Sequence, residues 1–286
     1  MNLDVNKRIF DIWKKYNNEF GNEYDEKIES IKKKYKDKTS TFIDPLRELL
    51  PITYKLNEYY IKDDDKKIHR WIFAGFNPSL NKKHYEKNDF VPKINNSKDF
   101  FSYPNNEKGI PEKVINVDFS LRNNIPGRKK NYYKKYFGHV QKFIKIVTDD
   151  NRDDLDHVHI DPFFIRGTNQ SEAKKVLGLA EDLKKNYELN GFAEDQLKLF
   201  EDMIKSYDPT AIIILNASSA HLLSHRWGNK EFNSSFRLEK DGLNRIRVFC
   251  GGMLFGSGGL DTYSKQRFAN QISRYLKENF NGTRVS

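Results

Sequence analysis

An asparagine amide at the end of a short apolar strand can orient a water or a carbonyl without adding charge. This chain offers one at Asn77, within Gly75-Phe76-Asn77-Pro78-Ser79. The run Trp71-Ile72-Phe73-Ala74 ahead of it reads as a strand. Gly75 allows the backbone to turn and approach a ligand closely, and Pro78 stiffens the exit. Open α/β folds bind ligands and carry out chemistry at the carboxyl ends of such strands. The same residues also suit an Asx-type turn that only terminates a strand, so the surrounding elements decide between the two.

Those elements alternate. Strands are expected over 71–75, 157–164, 211–216 and 246–250, the third being the unbroken apolar run Ala211-Ile212-Ile213-Ile214-Leu215. Helices are expected over 132–147, 171–189, 194–206 and 262–279, from the three- and four-residue recurrence of apolar positions. This order predicts an α/β protein: a three-layer α/β/α sandwich around a central, mostly parallel sheet of four strands. Ahead of it, residues 2–38 read as helix carrying Ile9, Phe10, Trp13, Tyr16 and Phe20, interrupted at Gly21, with a shorter helix over 44–50. The expected division is a helical N-terminal extension over 1–54 and an α/β domain over 55–286. The turn-rich stretch 81–124 is long enough to suggest function or poor order.

If the four strands run parallel, their carboxyl ends bring four segments to one rim. These are Gly75-Phe76-Asn77-Pro78-Ser79, Asp161-Pro162-Phe163-Phe164, Asn216-Ala217-Ser218-Ser219-Ala220 and Gly251-Gly252-Met253-Leu254-Phe255-Gly256. This order resembles the uracil-DNA glycosylase superfamily, above all its mismatch-specific and single-strand-selective branches, whose first motif is Gly-x-Asn-Pro. The resemblance covers roughly residues 68–272 and implies that family's fold. It implies that Asn77, flanked by Gly75, Phe76, Pro78 and Ser79, positions the water that attacks the anomeric carbon of a flipped nucleotide. A neutral amide does this by orientation and charge stabilisation rather than by strong proton abstraction. The family's aromatic residue that stacks on the extruded base corresponds to Phe90, thirteen residues after Asn77.

Two departures bear on the chemistry. Where several branches carry an Asn that reads the pyrimidine edge, this chain has Asp161, with Phe164 nearby. A carboxylate accepts from the N3–H of uracil but repels its O4, so a base offering two adjacent donors suits Asp161 better. Asp161 is equally well read as a strand-end turn residue before Pro162. The family's His-Pro-Ser motif is replaced by the loop from Gly251 to Asp261, which has no histidine. That removes a donor to the leaving base worth about 10²–10³ in rate. Gly252, Met253 and Leu254 can meet the base or wedge between bases, or end a buried strand, and glycines near Ser257 can present N–H groups to a phosphate.

Fifty Lys and Arg face forty Asp and Glu, a net charge of +10 that suits a polyanionic partner, DNA before membrane. A coding bias toward Lys and Asn gives the same surplus. No acidic residue occurs between Arg122 and Val147, where Arg128, Lys129 and Lys130 are the expected phosphate contacts and Tyr132, Tyr136, Phe143 and Val147 share an inward helix face. The aligned His157, His159 and Asp161 make a poor tetrahedral metal site, so no metal is expected. No organic cofactor is expected either. Ser218 or Ser219 reads as a helix N-cap, because the hydrolase pattern Gly-x-Ser-x-Gly is missing. Cys250, the one cysteine, excludes an internal disulfide and reads as a core thiol. The first thirty residues lack an apolar signal region, so the cytoplasm is the expected compartment.

The leading expectation is a DNA glycosylase-like protein hydrolysing the N-glycosidic bond of a flipped, deaminated or modified base. The alternatives are a non-catalytic nucleic-acid-binding module on the same fold and a small-molecule or nucleotide hydrolase using the same rim.

Overall fold

The computed structural model describes residues 5–19, 21–33, 44, 46, 69–76, 134–148, 155–165, 170–180, 188–229, 235–238, 243, 246–251 and 260–280. The chain divides into two compact units. Unit 1 comprises Met1–Ile61, Phe76–Asn123 and Asp161–Ser206, and unit 2 comprises Lys62–Gly75, Asn124–Ile160 and Tyr207–Ser286. In chain order the elements are α1 (Val5–Glu19), α2 (Asn22–Lys33), β1 (His69–Ala74), α3 (Lys134–Thr148), β2 (Leu155–His159), α4 (Gln170–Val176), α5 (Gly191–Tyr207), β3 (Ala211–Ile214), α6 (Ala217–Arg226), β4 (Ser235–Arg237), β5 (Arg247–Cys250) and α7 (Thr262–Phe280).

Unit 2 is built on a five-stranded sheet of order β2-β1-β3-β5-β4. β1 pairs in parallel with β2 and β3, and β3 pairs in parallel with β5. The mostly parallel α/β character expected from the sequence is therefore present, with one correction. A fifth strand, β4, joins β5 antiparallel at the edge. Its three residues Ser235-Phe236-Arg237 are too short to show a period of two.

Side chains of successive strand residues alternate between faces. Trp71, Phe73, Ala211, Ile213, Leu215 and Phe249 form one buried cluster with Val140, Phe143 and Val147 of α3 and Phe268, Ala269, Ile272 and Leu276 of α7. The ring of Phe143 stacks on that of Phe268, with centroids 5.8 Å apart. The opposite set, Ile72, Ala74, Ile212, Ile214, Val248 and Cys250, is buried too. On that side α6 packs against β3, and its Ser224 Oγ lies 3.7 Å from Cys250 Sγ. Burial pushes the Cys250 thiol up to about 11, which leaves it protonated and unreactive at neutral pH. Burial on both faces explains why β3 and residues 71–74 of β1 are apolar throughout rather than alternating.

The second strand is shorter than expected. The strand ends at His159, and residues 160–165 continue as buried chain outside it. Pro162 lacks an N–H with which to continue a ladder. The helix expected over 171–189 also stops early, at Val176. Gly178, at φ 72°, turns the chain left-handed; its N–H donates to Lys175 O (3.2 Å), and Leu179 N–H donates to Lys174 O (2.8 Å). This is a Schellman stop, which glycine makes without a Cβ penalty.

In unit 1 the buried face of α1, with Val5, Ile9, Trp13 and Tyr16, follows the expected spacing. α1 meets α5 through Trp13 and Tyr16 against Phe192, with ring centroids 6.3 and 5.0 Å apart. Arg8 pairs with Asp202 at 2.7 Å, and Asp195 accepts from Lys15 Nζ at 3.0 Å and Tyr16 Oη at 2.8 Å. Burial opposes ionisation of Asp195, but Lys15 and Tyr16 outweigh it and hold the carboxyl below its ordinary range. Asp44, itself buried, accepts from Tyr24 Oη (2.7 Å) and Leu46 N (2.8 Å). Among the described residues no helix is long and apolar enough to cross a membrane.

Candidate functional site

The parallel register brings four strand ends of unit 2 to one rim. Phe73 lies beside His159, Ala74 beside Ile214, and Ile214 beside Cys250. One residue further, Ile160 N donates to Phe73 O (3.0 Å), Leu215 N to Ala74 O (2.8 Å) and Gly251 N to Ile214 O (3.2 Å). The chain leaves the sheet at Ile160, Gly75, Leu215 and Gly251. Two of the four segments singled out in the sequence thus begin in register, at Gly75 and Gly251 on either side of Leu215, and a third begins one residue further on, at Asn216.

Two side chains fix this rim. Asn216 is extended (φ −137°, ψ 130°) and its Oδ1 accepts from Ser218 N (2.9 Å) and Ser219 N (3.2 Å). Asn216 is therefore the N-cap of α6, correcting the expectation that Ser218 or Ser219 fills that role. The strand stops at Ile214, two residues before the expected end, which frees Asn216 to cap. Ser219, fully buried, instead donates its hydroxyl to Gly75 O. The carbonyl at the exit of β1 is thereby pinned to the first turn of α6. Sequence reasoning missed this tie because its partners lie 144 residues apart. The signal for the cap was present, as Asn followed by Ser-Ser is a helix-start pattern.

Gly251 at the end of β5 lies against α7. A Cβ added there would stand 2.6 Å from Cζ and 2.9 Å from Cδ1 of Phe268. The backbone comes this close because the position is glycine. Beyond the rim, Asp261 starts α7, accepting from Ser264 N (2.9 Å) and Ser264 Oγ (2.7 Å). Those bonds hold its carboxyl below the ordinary range. Asp261 is thus the N-cap of α7.

In unit 1, Phe76 is buried with its ring edge-on to Phe163 at 5.0 Å, and its carbonyl accepts from Phe163 N (3.2 Å). Phe164 is buried edge-on against Phe192 at 6.3 Å, and its N–H donates to Gln196 Oε1 (3.1 Å). Asp161 is 8% exposed and follows the end of β2 by two residues. The buried Gln196, which orders this segment, carried no recognisable signal in the sequence. Asn77, Pro78, Ser79, Phe90, Arg128, Lys129, Lys130, Gly252, Met253, Leu254 and Ser257 lie outside the described residues, as do residues 81–124.

His157 stands edge-on to Phe73 at 6.0 Å, and His159 is the last residue of β2. Among the described residues no three His, Cys, Asp or Glu side chains gather as a metal set. Among the described residues the rim offers a pinned glycine carbonyl, a capped helix start and a glycine exit, with His159 at the end of β2. No protein-family model, no curated protein and no solved structure matches this chain.

Proposed function

We propose that this protein is a DNA glycosylase-like enzyme of the uracil-DNA glycosylase type, hydrolysing the N-glycosidic bond of a flipped base. Asn77 orients a water toward the anomeric carbon, Phe90 stacks on the extruded base, and Asp161 reads its edge. The loop carrying Gly252, Met253, Leu254 and Ser257 meets the strand, and Arg128, Lys129 and Lys130 meet its phosphates. In the reaction the water oxygen bonds to the sugar carbon, the base leaves with the bonding pair, and a proton passes from the water to the base or solvent. A carboxylate at Asp161 favours a base with adjacent N–H donors over uracil.

The observation that supports this reading most is the shared rim where the chain leaves the sheet at Gly75, Leu215 and Gly251, with the Gly75 carbonyl bonded to Ser219, two positions before Asn77 in the sequence. Anchoring matters because a positioned water gains its advantage from fixed geometry. A second reading, a non-catalytic binding module, is favoured by the absence of histidine from Gly251 to Asp261.

A panel of single-lesion oligonucleotides, scored for alkali-labile scission, separates the two. The enzyme produces scission at one class of modified base. Binding that weakens steeply with salt, with no abasic product from any base, establishes the module instead.

A further inference from the structure

The outer layer of unit 2 holds most of the chain's charge surplus. α3 and α7, which cover one face of the sheet, carry eight basic residues and a single acidic one, Glu278, within a chain of net charge +10. Along α7, Tyr263, Arg267, Asn270, Arg274 and Lys277 recur at steps of four and three, so they share one face. All five are exposed, Tyr263 at 78%. The opposite face of the helix, with Phe268, Ala269, Ile272 and Leu276, is occupied by the core. Lys142 of α3 is likewise exposed, and Gln271 Nε2 reaches Ser235 Oγ (3.4 Å) on the β4 edge, where Arg237 is exposed.

Some exposed cations of unit 1 stand beside carboxylates: Lys7 by Asp11 at 2.8 Å, Arg8 by Asp202 at 2.7 Å, Lys15 by Asp195 at 3.0 Å. Among the described residues, Lys142, Arg267 and Arg274 have no carboxylate partner. Unpaired like charges along one helix repel one another, and a polyanion relieves that repulsion.

We propose that the outer face of α7, flanked by α3 and the β4 edge, is a track for the phosphodiester backbone of a nucleic acid. Arg267 and Arg274 lie about two turns apart, roughly 10 Å along the helix axis. The whole stripe from Tyr263 to Lys277 spans about 21 Å, roughly six phosphates of one strand at about 3.4 Å rise. Guanidinium groups match phosphate geometry in two-point contacts. Tyr263, at the end nearest Gly251, can stack on an unpaired base. A membrane surface fits less well, because an interfacial helix must sink an apolar face into lipid and that of α7 is already used. The proposal rests on nucleic acid being the partner in the function above, but not on base release.

The test is fluorescence anisotropy of the full chain with a labelled mixed-sequence 30-mer, single-stranded and duplex, across a potassium chloride series. The triple variant Arg267→Ala, Arg274→Ala, Lys277→Ala should bind at least about tenfold more weakly near 0.1 M salt. Its slope of log Kd against log salt should fall by about two to three units, near one per lost phosphate contact. The same charge removed from unit 1, as Lys32→Ala, Lys33→Ala, Lys205→Ala, should leave the slope unchanged. An unaltered slope in the α7 variant, an equal loss in the unit 1 control, or binding to phosphatidylserine vesicles but not to oligonucleotides would overturn the proposal. Stripe-dependent binding by a parent that releases no base would sink only the catalytic reading. Base release by a parent whose α7 variant binds normally would sink only this one.

Discussion

Asn77→Ala is expected to slow base release by at least about 10²-fold while DNA affinity stays within a few-fold of the parent. Removing a positioned polar group that acts on the reacting centre costs about 10²–10³ in rate. The two residues ahead of Asn77 are each anchored in their own unit. Gly75 O accepts from Ser219, and Phe76 O accepts from Phe163 N at 3.2 Å. Those bonds hold the residues ahead of Asn77 without its side chain, so the fold should survive the substitution. Single-turnover release from the preferred lesion, together with anisotropy binding, checks this. Asn77→Asp should retain release, because a carboxylate also orients water. Equal rates in parent and Asn77→Ala would remove Asn77 from the mechanism.

The second large effect is on stability. Gly251→Ala should cost about 2–3 kcal/mol, the upper part of the range of about 1–3 kcal/mol for forcing extra volume into a packed core. The new methyl would meet the Phe268 ring 2.6 Å from Cζ, and that ring is itself stacked on Phe143 at 5.8 Å. It cannot swing aside without breaking the contact that joins α7 to α3. In a Phe268→Leu background the same change should cost less than about 1 kcal/mol, because the smaller side chain vacates the space. Denaturant midpoints of the four proteins give the coupling directly. Additive effects would show that the ring moves freely.

What could be read from the sequence follows where one local pattern decides the outcome. α1, α5, α7, β3 and β5 fall within a few residues of expectation, because each buries a periodic or unbroken apolar set. The parallel sheet followed from the alternation of those elements. The misreadings have separate causes. Residues 160–165 are as apolar as a strand and as buried, yet hydrophobicity reports burial and not ladder pairing. β4 gains its identity from β5, twelve residues away at Ser235 and Arg247, and three residues carry no periodic signal. Gly178 was visible as a helix stop, but the apolar positions after it resembled further turns. The bond from Ser219 to Gly75 joins elements that share no local pattern at all. The candidate site was legible only as strand-end segments. Their alignment required the parallel register, in which Ala74 faces Ile214 and Ile214 faces Cys250.

Hydrogen–deuterium exchange of the full chain, with and without an oligonucleotide carrying a stable abasic-site analogue, addresses the rim most directly. The account predicts slowed exchange in peptides spanning 75–79, 216–220 and 251–261 when the oligonucleotide binds. Protection confined to α1 and α2, with those three segments unchanged, would contradict it.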